Sequence, residues 1–145
     1  MSEKKIVGIT MGDPASIGPE ITVKAFADKS LYDLCNPVVV GDASVMEAAL
    51  PIVGHTEMKI NAIKDVSEAK YEYGTIDVLD MGLVDMAQLK RGEVSAMCGD
   101  AAFKYVTKVI ELAMDKKVDA TVTNAFNKEA VNLAGHHYSG HTEIY

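Results

Sequence analysis

The sequence predicts an α/β protein with a largely parallel sheet flanked by helices. Three observations carry this. Short apolar runs and helix-period runs alternate along the chain, the order that builds parallel sheets with crossover helices. Residues 38–40 (VVV) are apolar without alternation and stop at Gly41-Asp42, which suits a strand covered on both faces. Residues 93–116 form one long amphipathic stretch, in which Ala101, Tyr105, Ile110 and Ala113, with Ala102, Val106 and Val109, fall on one wide apolar stripe.

The first element is a strand over residues 5–11 (KIVGITM), ended by the turn signal Gly12-Asp13-Pro14. A helix over residues 19–28 follows, because Pro19 with Glu20 beside it is a helix-start pair. Asn36-Pro37 breaks the chain before the strand at 38–40. Residues 43–50 read as a short helix ended by Pro51, then strands near 58–63 and 75–79. Residues 80–92 carry no clear period. The long helix ends at Lys116-Lys117, where its dipole favours cations. A strand at 120–123 and a short helix at 127–134, stopped by Gly135, complete the pattern. The last residues, Gly140 to Tyr145, read as a loop entering another helix, so the chain is expected to be a truncated portion of a larger unit.

Bulk properties narrow the function classes. The chain has 145 residues, 48% hydrophobic and 24% charged, which is the balance of an ordinary globular domain. A formal charge of −7 argues against nucleic acid as a partner. No apolar run reaches the ~20 residues needed to span a bilayer, and the first residues lack the long apolar stretch of a signal peptide. Cys35 and Cys98 lie far apart without metal-binding spacing and read as reduced, buried thiols of a cytoplasmic protein.

Two segments could carry chemistry. Gly12-Asp13-Pro14-Ala15-Ser16-Ile17-Gly18-Pro19-Glu20 joins a strand to a helix N-terminus, a place that favours anions and cofactors. It has neither the phosphate-loop lysine nor G-x-G-x-x-G, so its glycines could equally serve only the turn. Absence of that lysine also weighs against a phosphoryl-transfer enzyme. Residues 123–142 (TNAFNKEAVNLAGHHYSGHT) group Thr123, Asn124, Asn127 and Lys128 just after a strand end. Lys128 could meet a phosphate or carboxylate as a point charge, or be a solvated lysine. His136 and His137 are adjacent, and adjacent side chains usually point apart, so these residues with His141 alone make a poor metal site. His141 and Thr142, beside Gly140, can donate hydrogen bonds to an anion. His55-Thr56 reads as surface loop. Met81, Met86, Met97 and Met114 read as core filler, and Asp77, Asp80 and Asp85 are loop acids out of register for a calcium loop.

Three stretches, ITMGDPASIGPEI, RGEVSAMCGDAAFKYV and NKEAVNLAGHHYSGHTEIY, resemble the 4-hydroxythreonine-4-phosphate dehydrogenase family and occur in that family's order. The resemblance implies a two-domain fold like that of the isocitrate and isopropylmalate dehydrogenases, of which residues 1–145 form the N-terminal portion. It implies a homodimer that uses NAD (or NADP) and a divalent metal such as Zn, Mg or Co. Its reaction is oxidation, then decarboxylation, of a small phosphorylated hydroxy acid. The substrate implied first is 4-phosphohydroxy-L-threonine, in vitamin B6 biosynthesis. Relatives acting on threonate or erythronate 4-phosphate in sugar-acid catabolism are an alternative, and a non-catalytic truncated fragment is another. The family's substrate-contacting pair falls on His141 and Thr142. Asp13, Gly18, Asn127 and Lys128 fall near substrate or cofactor. The family's three metal-binding histidines lie beyond Tyr145, so this chain alone is expected to hold no metal and to be inactive. The sequence departs from the family at Ala125, where a proline is usual, and at Ser16, where many relatives have glycine.

Overall fold

The structure, a computed structural model, describes residues 4–15, 18–89 and 95–123. Strand β1 (Ile6–Thr10) leads to helices α1 (Gly18–Phe26) and α2 (Lys29–Leu34), then to β2 (Asn36–Gly41) and α3 (Ala43–Ile52). Strand β3 (Lys59–Ile63) crosses through a 3-10 turn (Val66–Glu68) to β4 (Thr75–Asp80). Helix α4 (Ala96–Met114) returns the chain to β5 (Ala120–Thr123). The five strands are parallel, in the order β3-β4-β2-β1-β5, as the unalternating valines required.

Local chemistry explains most boundaries. Val38, Val39 and Val40 are all fully buried, because helices cover both faces of β2. Pro37 is tolerated in this central strand because β4 begins to pair only at Val39. The helix α2, which the sequence pattern did not reveal, is one short segment capped by Asp28, whose carboxylate accepts from the Ser30 amide. Pro51 does not stop α3 but lies within its last turn, where little helix remains to be disrupted. Helix α4 starts at Ala96 rather than at residue 93, because Ser95 caps it and accepts from the Cys98 amide.

Steps from β1 to β2 and from β2 to β3 run one way across the sheet, and the step from β4 to β5 runs the other way. Right-handed crossovers therefore place α4 on the face opposite α1 and α3. The contacts agree: α1 packs on α3, while α4 packs on β1, β2 and β5. Gly8 admits α4, since a Cβ there would sit 2.7 Å from Val109.

Two sequence readings need correction. Met114 is 78% exposed at the end of α4 and Met86 lies exposed after β4, so neither fills the core, whereas Met11 and Met46 do. Asp77 is no loop acid: it lies in β4 and is 1% exposed. Its carboxylate accepts from the Asn61 side chain at 2.8 Å and from the Lys70 and Tyr71 amides at 3.1 and 2.9 Å. It thereby holds down the segment that crosses from β3 to β4 without a full helix. Cys35 and Cys98 are free and buried, and His55 lies in a surface turn 3.1 Å from Glu57, as read from the sequence.

Candidate functional site at the carboxyl edge of the sheet

In an open parallel sheet, the chain leaves each strand's carboxyl end by a loop, and ligands collect where adjacent strands send their loops to opposite faces. Here those neighbours are β2, which leads to α3, and β4, which leads to α4. The chain stays zipped one residue beyond the strands on this edge. The Met11 amide donates to the Val40 carbonyl at 3.0 Å, and the Met81 amide to the Gly41 carbonyl at 2.9 Å.

The loop after β1 is built by close approach. Gly12 has φ +83°, a conformation that L side chains seldom take. Asp13 is 2% exposed, and its carboxylate accepts from the Ala15 amide at 2.8 Å. Gly18 starts α1 so close to this loop that a Cβ would lie 2.4 Å from the Met11 carbonyl oxygen. Thr22 ties the first helical turn by donating to the Gly18 carbonyl at 2.8 Å. Across the loop, Cys98 in the first turn of α4 is 1% exposed, and burial pushes its thiol up, with a further upward push from Asp13. The loop after β1 and the start of α4 therefore meet.

The acids at the switch point exchange the roles that position alone would assign. Asp42 stands at the N-cap position of α3 but makes no capping bond. Asp80, at the end of β4, accepts from the Ala43 amide at 3.2 Å and from the Gly82 amide at 3.3 Å, with the Lys64 ammonium 3.9 Å away. Asp42 instead turns inward and is 1% exposed. The Tyr105 hydroxyl of α4 donates to it at 2.6 Å, and the Val84 amide at 2.7 Å. A cap is worth about 1 kcal/mol, so giving it up for two buried bonds commits Asp42 to the crevice rather than to the helix. Burial first, then the Asp42 charge, pushes the Tyr105 hydroxyl far above the ordinary tyrosine range.

Of the residues singled out in the sequence, Asp13 and Gly18 are brought together in this one loop. Asn127, Lys128, His141 and Thr142, with His136 and His137, lie outside the described residues. Asp42 and Tyr105 were missed. Asp42 carried a signal, since it directly follows a buried strand; Tyr105 looked like one more apolar-stripe residue. Among the described residues no cluster of three or more His, Cys, Asp or Glu could hold a metal. In the described part of the loop after β1, the Ala15 amide is already taken by Asp13. A groove of about 500 Å³ lies elsewhere, bordered by Ile6, Asp65, Val66, Tyr71 and Lys117 beside the β3–β4 crossing. Among the described residues no helix is long and apolar enough to cross a membrane.

A parallel sheet flanked by helices, with a glycine-built loop and buried acids on its carboxyl edge, makes this an open α/β fold. Residues 33–145 match the model of the family described as pyridoxal phosphate biosynthetic protein PdxA, and the chain belongs to that family. It is 49% identical over 144 residues to a protein of Halalkalibacterium halodurans named "Putative D-threonate 4-phosphate dehydrogenase". The crystal structure of a 4-hydroxythreonine-4-phosphate dehydrogenase from Burkholderia phymatum superposes with a TM-score of 0.95 at 49% identity, over 99% of this chain. A 4-hydroxythreonine-4-phosphate dehydrogenase from Klebsiella pneumoniae gives 0.89 at 41%, over 97% of this chain. The chain spans 43% of the length of each of these proteins.

Proposed function

We propose that the complete protein is an NAD-dependent dehydrogenase of a phosphorylated four-carbon hydroxy acid, and that residues 1–145 are the N-terminal portion of its two-domain, isocitrate-dehydrogenase-like subunit. One observation carries the reading: nearly the whole chain aligns, at 49% identity, with proteins named as dehydrogenases of such acids. The two substrates those names offer differ at C2. One bears an amine, 4-phosphohydroxy-L-threonine, and the other a hydroxyl, D-threonate 4-phosphate. The H. halodurans relative favours the hydroxyl form as the first to test.

In this reading the C3 alcohol loses a hydride to the nicotinamide and a proton to solvent, and the resulting 3-oxo acid loses CO₂. A divalent metal, when bound, would supply Lewis-acid chemistry at the substrate's oxygens. The described residues hold no cluster of three or more groups that could bind it, and their contribution in this reading is positional. The Gly12–Gly18 approach and Asp13 set the edge of the cleft. His141 and Thr142 would donate to the substrate, with Asn127 and Lys128 close to its charge. The assembly would be a homodimer.

The test is NADH formation by the protein from its complete reading frame, with Mg, Co or Zn present, offered both acids side by side. Turnover that a chelator abolishes and that His141→Ala lowers sharply supports the reading, and the preferred acid names the substrate. Failure to turn over either acid, with the protein folded and metal supplied, refutes it.

A further inference from the structure

We infer that Tyr105 and Asp42 form a positioning pair that sets the segment following β4 over the substrate crevice; the inference rests on the dehydrogenase reading above. The segment of residues 81–89 leaves the sheet at the switch point, where the substrate of an open α/β sheet lies. Its described anchors are few. Gly82 has φ +60° and its amide reaches Asp80 at 3.3 Å, a long bond. Met81 is held by Gly41 at 2.9 Å, and beyond it the Val84 amide is held by Asp42 at 2.7 Å. The next residues turn locally, with Asp85 accepting from the Ala87 amide. Val84 is thus, after Met81, a second point among the described residues at which this connection is tied across to the end of β2.

That tie depends on how the Asp42 carboxylate points. An acid at this position would by default turn to the second or third amide of α3, which Asp42 does not; the first, that of Ala43, is held by Asp80. The Tyr105 hydroxyl, 2.6 Å from one carboxylate oxygen, fixes the plane that presents the other oxygen to Val84. Tyr105 is itself fully buried in α4, whose first turn abuts the Asp13 loop through Cys98. The pair therefore references the β4 connection to the same helix that backs the loop after β1. Tyr105 touches no reacting atom in this scheme; it acts through Asp42 and the Val84 amide.

The experiment compares the complete wild-type protein with Tyr105→Phe, which keeps the ring in the core and removes only the donor. Tyr32→Phe is the control. It deletes another largely buried tyrosine hydroxyl, one that donates to the Thr75 carbonyl at 3.1 Å near the opposite end of the sheet. Hydrogen exchange at Val84 should accelerate about tenfold in Tyr105→Phe, as expected when a bond of ordinary strength loosens, and the core amide of Val78 should not follow. KM for the preferred phosphorylated acid should rise about tenfold, with kcat changed far less, because misplacing a binding surface weakens substrate and transition state alike. Tyr32→Phe should move neither readout. Unchanged Val84 exchange, or an unchanged KM beside normal wild-type turnover, overturns the positioning role alone. Absence of wild-type turnover on both acids overturns the dehydrogenase reading and this inference together.

Discussion

Replacing Gly18 by alanine tests the close approach on which the carboxyl edge is built. The added Cβ would stand 2.4 Å from the Met11 carbonyl oxygen and 3.3 Å from the Gly12 Cα. Comfortable non-bonded carbon contacts begin near ~3.5 Å, so about 1 Å of separation must open. The obstacle is main chain, and it cannot rotate aside. Met11 is bound to Val40 and completely buried, so the shift must come from the start of α1. Overpacking of this kind costs about 3 kcal/mol at the upper end of its usual range. The better helix propensity of alanine returns at most ~1 kcal/mol. The net loss is about 2 kcal/mol. Urea and thermal unfolding of the complete protein, followed by far-ultraviolet circular dichroism, read it directly. Gly54→Ala is the comparison: its Cβ would meet nothing within 4 Å, so only the strain of φ +77° is felt, about 1 kcal/mol. A Gly18→Ala protein as stable as wild type, or more stable than Gly54→Ala, would refute the reasoning.

Further outcomes follow from the same contacts. Asp77→Ala should cost about 3 kcal/mol in urea unfolding, because three donors lose their acceptor and each is worth about 1 kcal/mol where water can partly replace it. Ser95→Ala should remove the α4 cap and cost about 1 kcal/mol by the same assay. Alkaline unfolding should expose Tyr105. Its folded hydroxyl titrates above the ordinary value of about 10, so the stabilisation is complete below pH ~10 and is lost as the pH rises further, when the unfolded chain alone sheds the proton. Stability measured above pH ~10 should therefore fall less steeply in Tyr105→Phe than in wild type.

Much of the fold was legible because it rests on local pattern. The three valines of β2 signalled a two-faced strand, and the stripe on α4 signalled a helix laid on the sheet. What escaped was decided by neighbours. Helix α2 is six residues long, too short to show a period. Pro51 reads as a stop, yet so near the end of α3 it has little left to break. Met114 looks apolar on paper but projects from the last turn of α4 into solvent. The site divides the same way. Gly12, Asp13 and Gly18 drew attention through turn chemistry at a strand end. Asp42 and Tyr105 did not, because 63 residues separate two groups 2.6 Å apart.

By itself the sequence determined the class of fold, the order of most of its described elements and, through three motifs, the family. These follow from periodicity and from residue types whose meaning is local: a buried strand must be apolar on both faces, and a tight turn must have glycine. Only the tertiary structure decided which acid serves which partner. Asp80 caps the helix that Asp42 precedes, Asp42 accepts from Tyr105 and Val84, and Asp77 pins a crossing segment from within a strand. Such choices depend on the strand order β3-β4-β2-β1-β5. That order brings β2 beside β4 and α4 across the sheet, and a buried carboxylate takes the donors that packing places next to it, however distant they are along the chain.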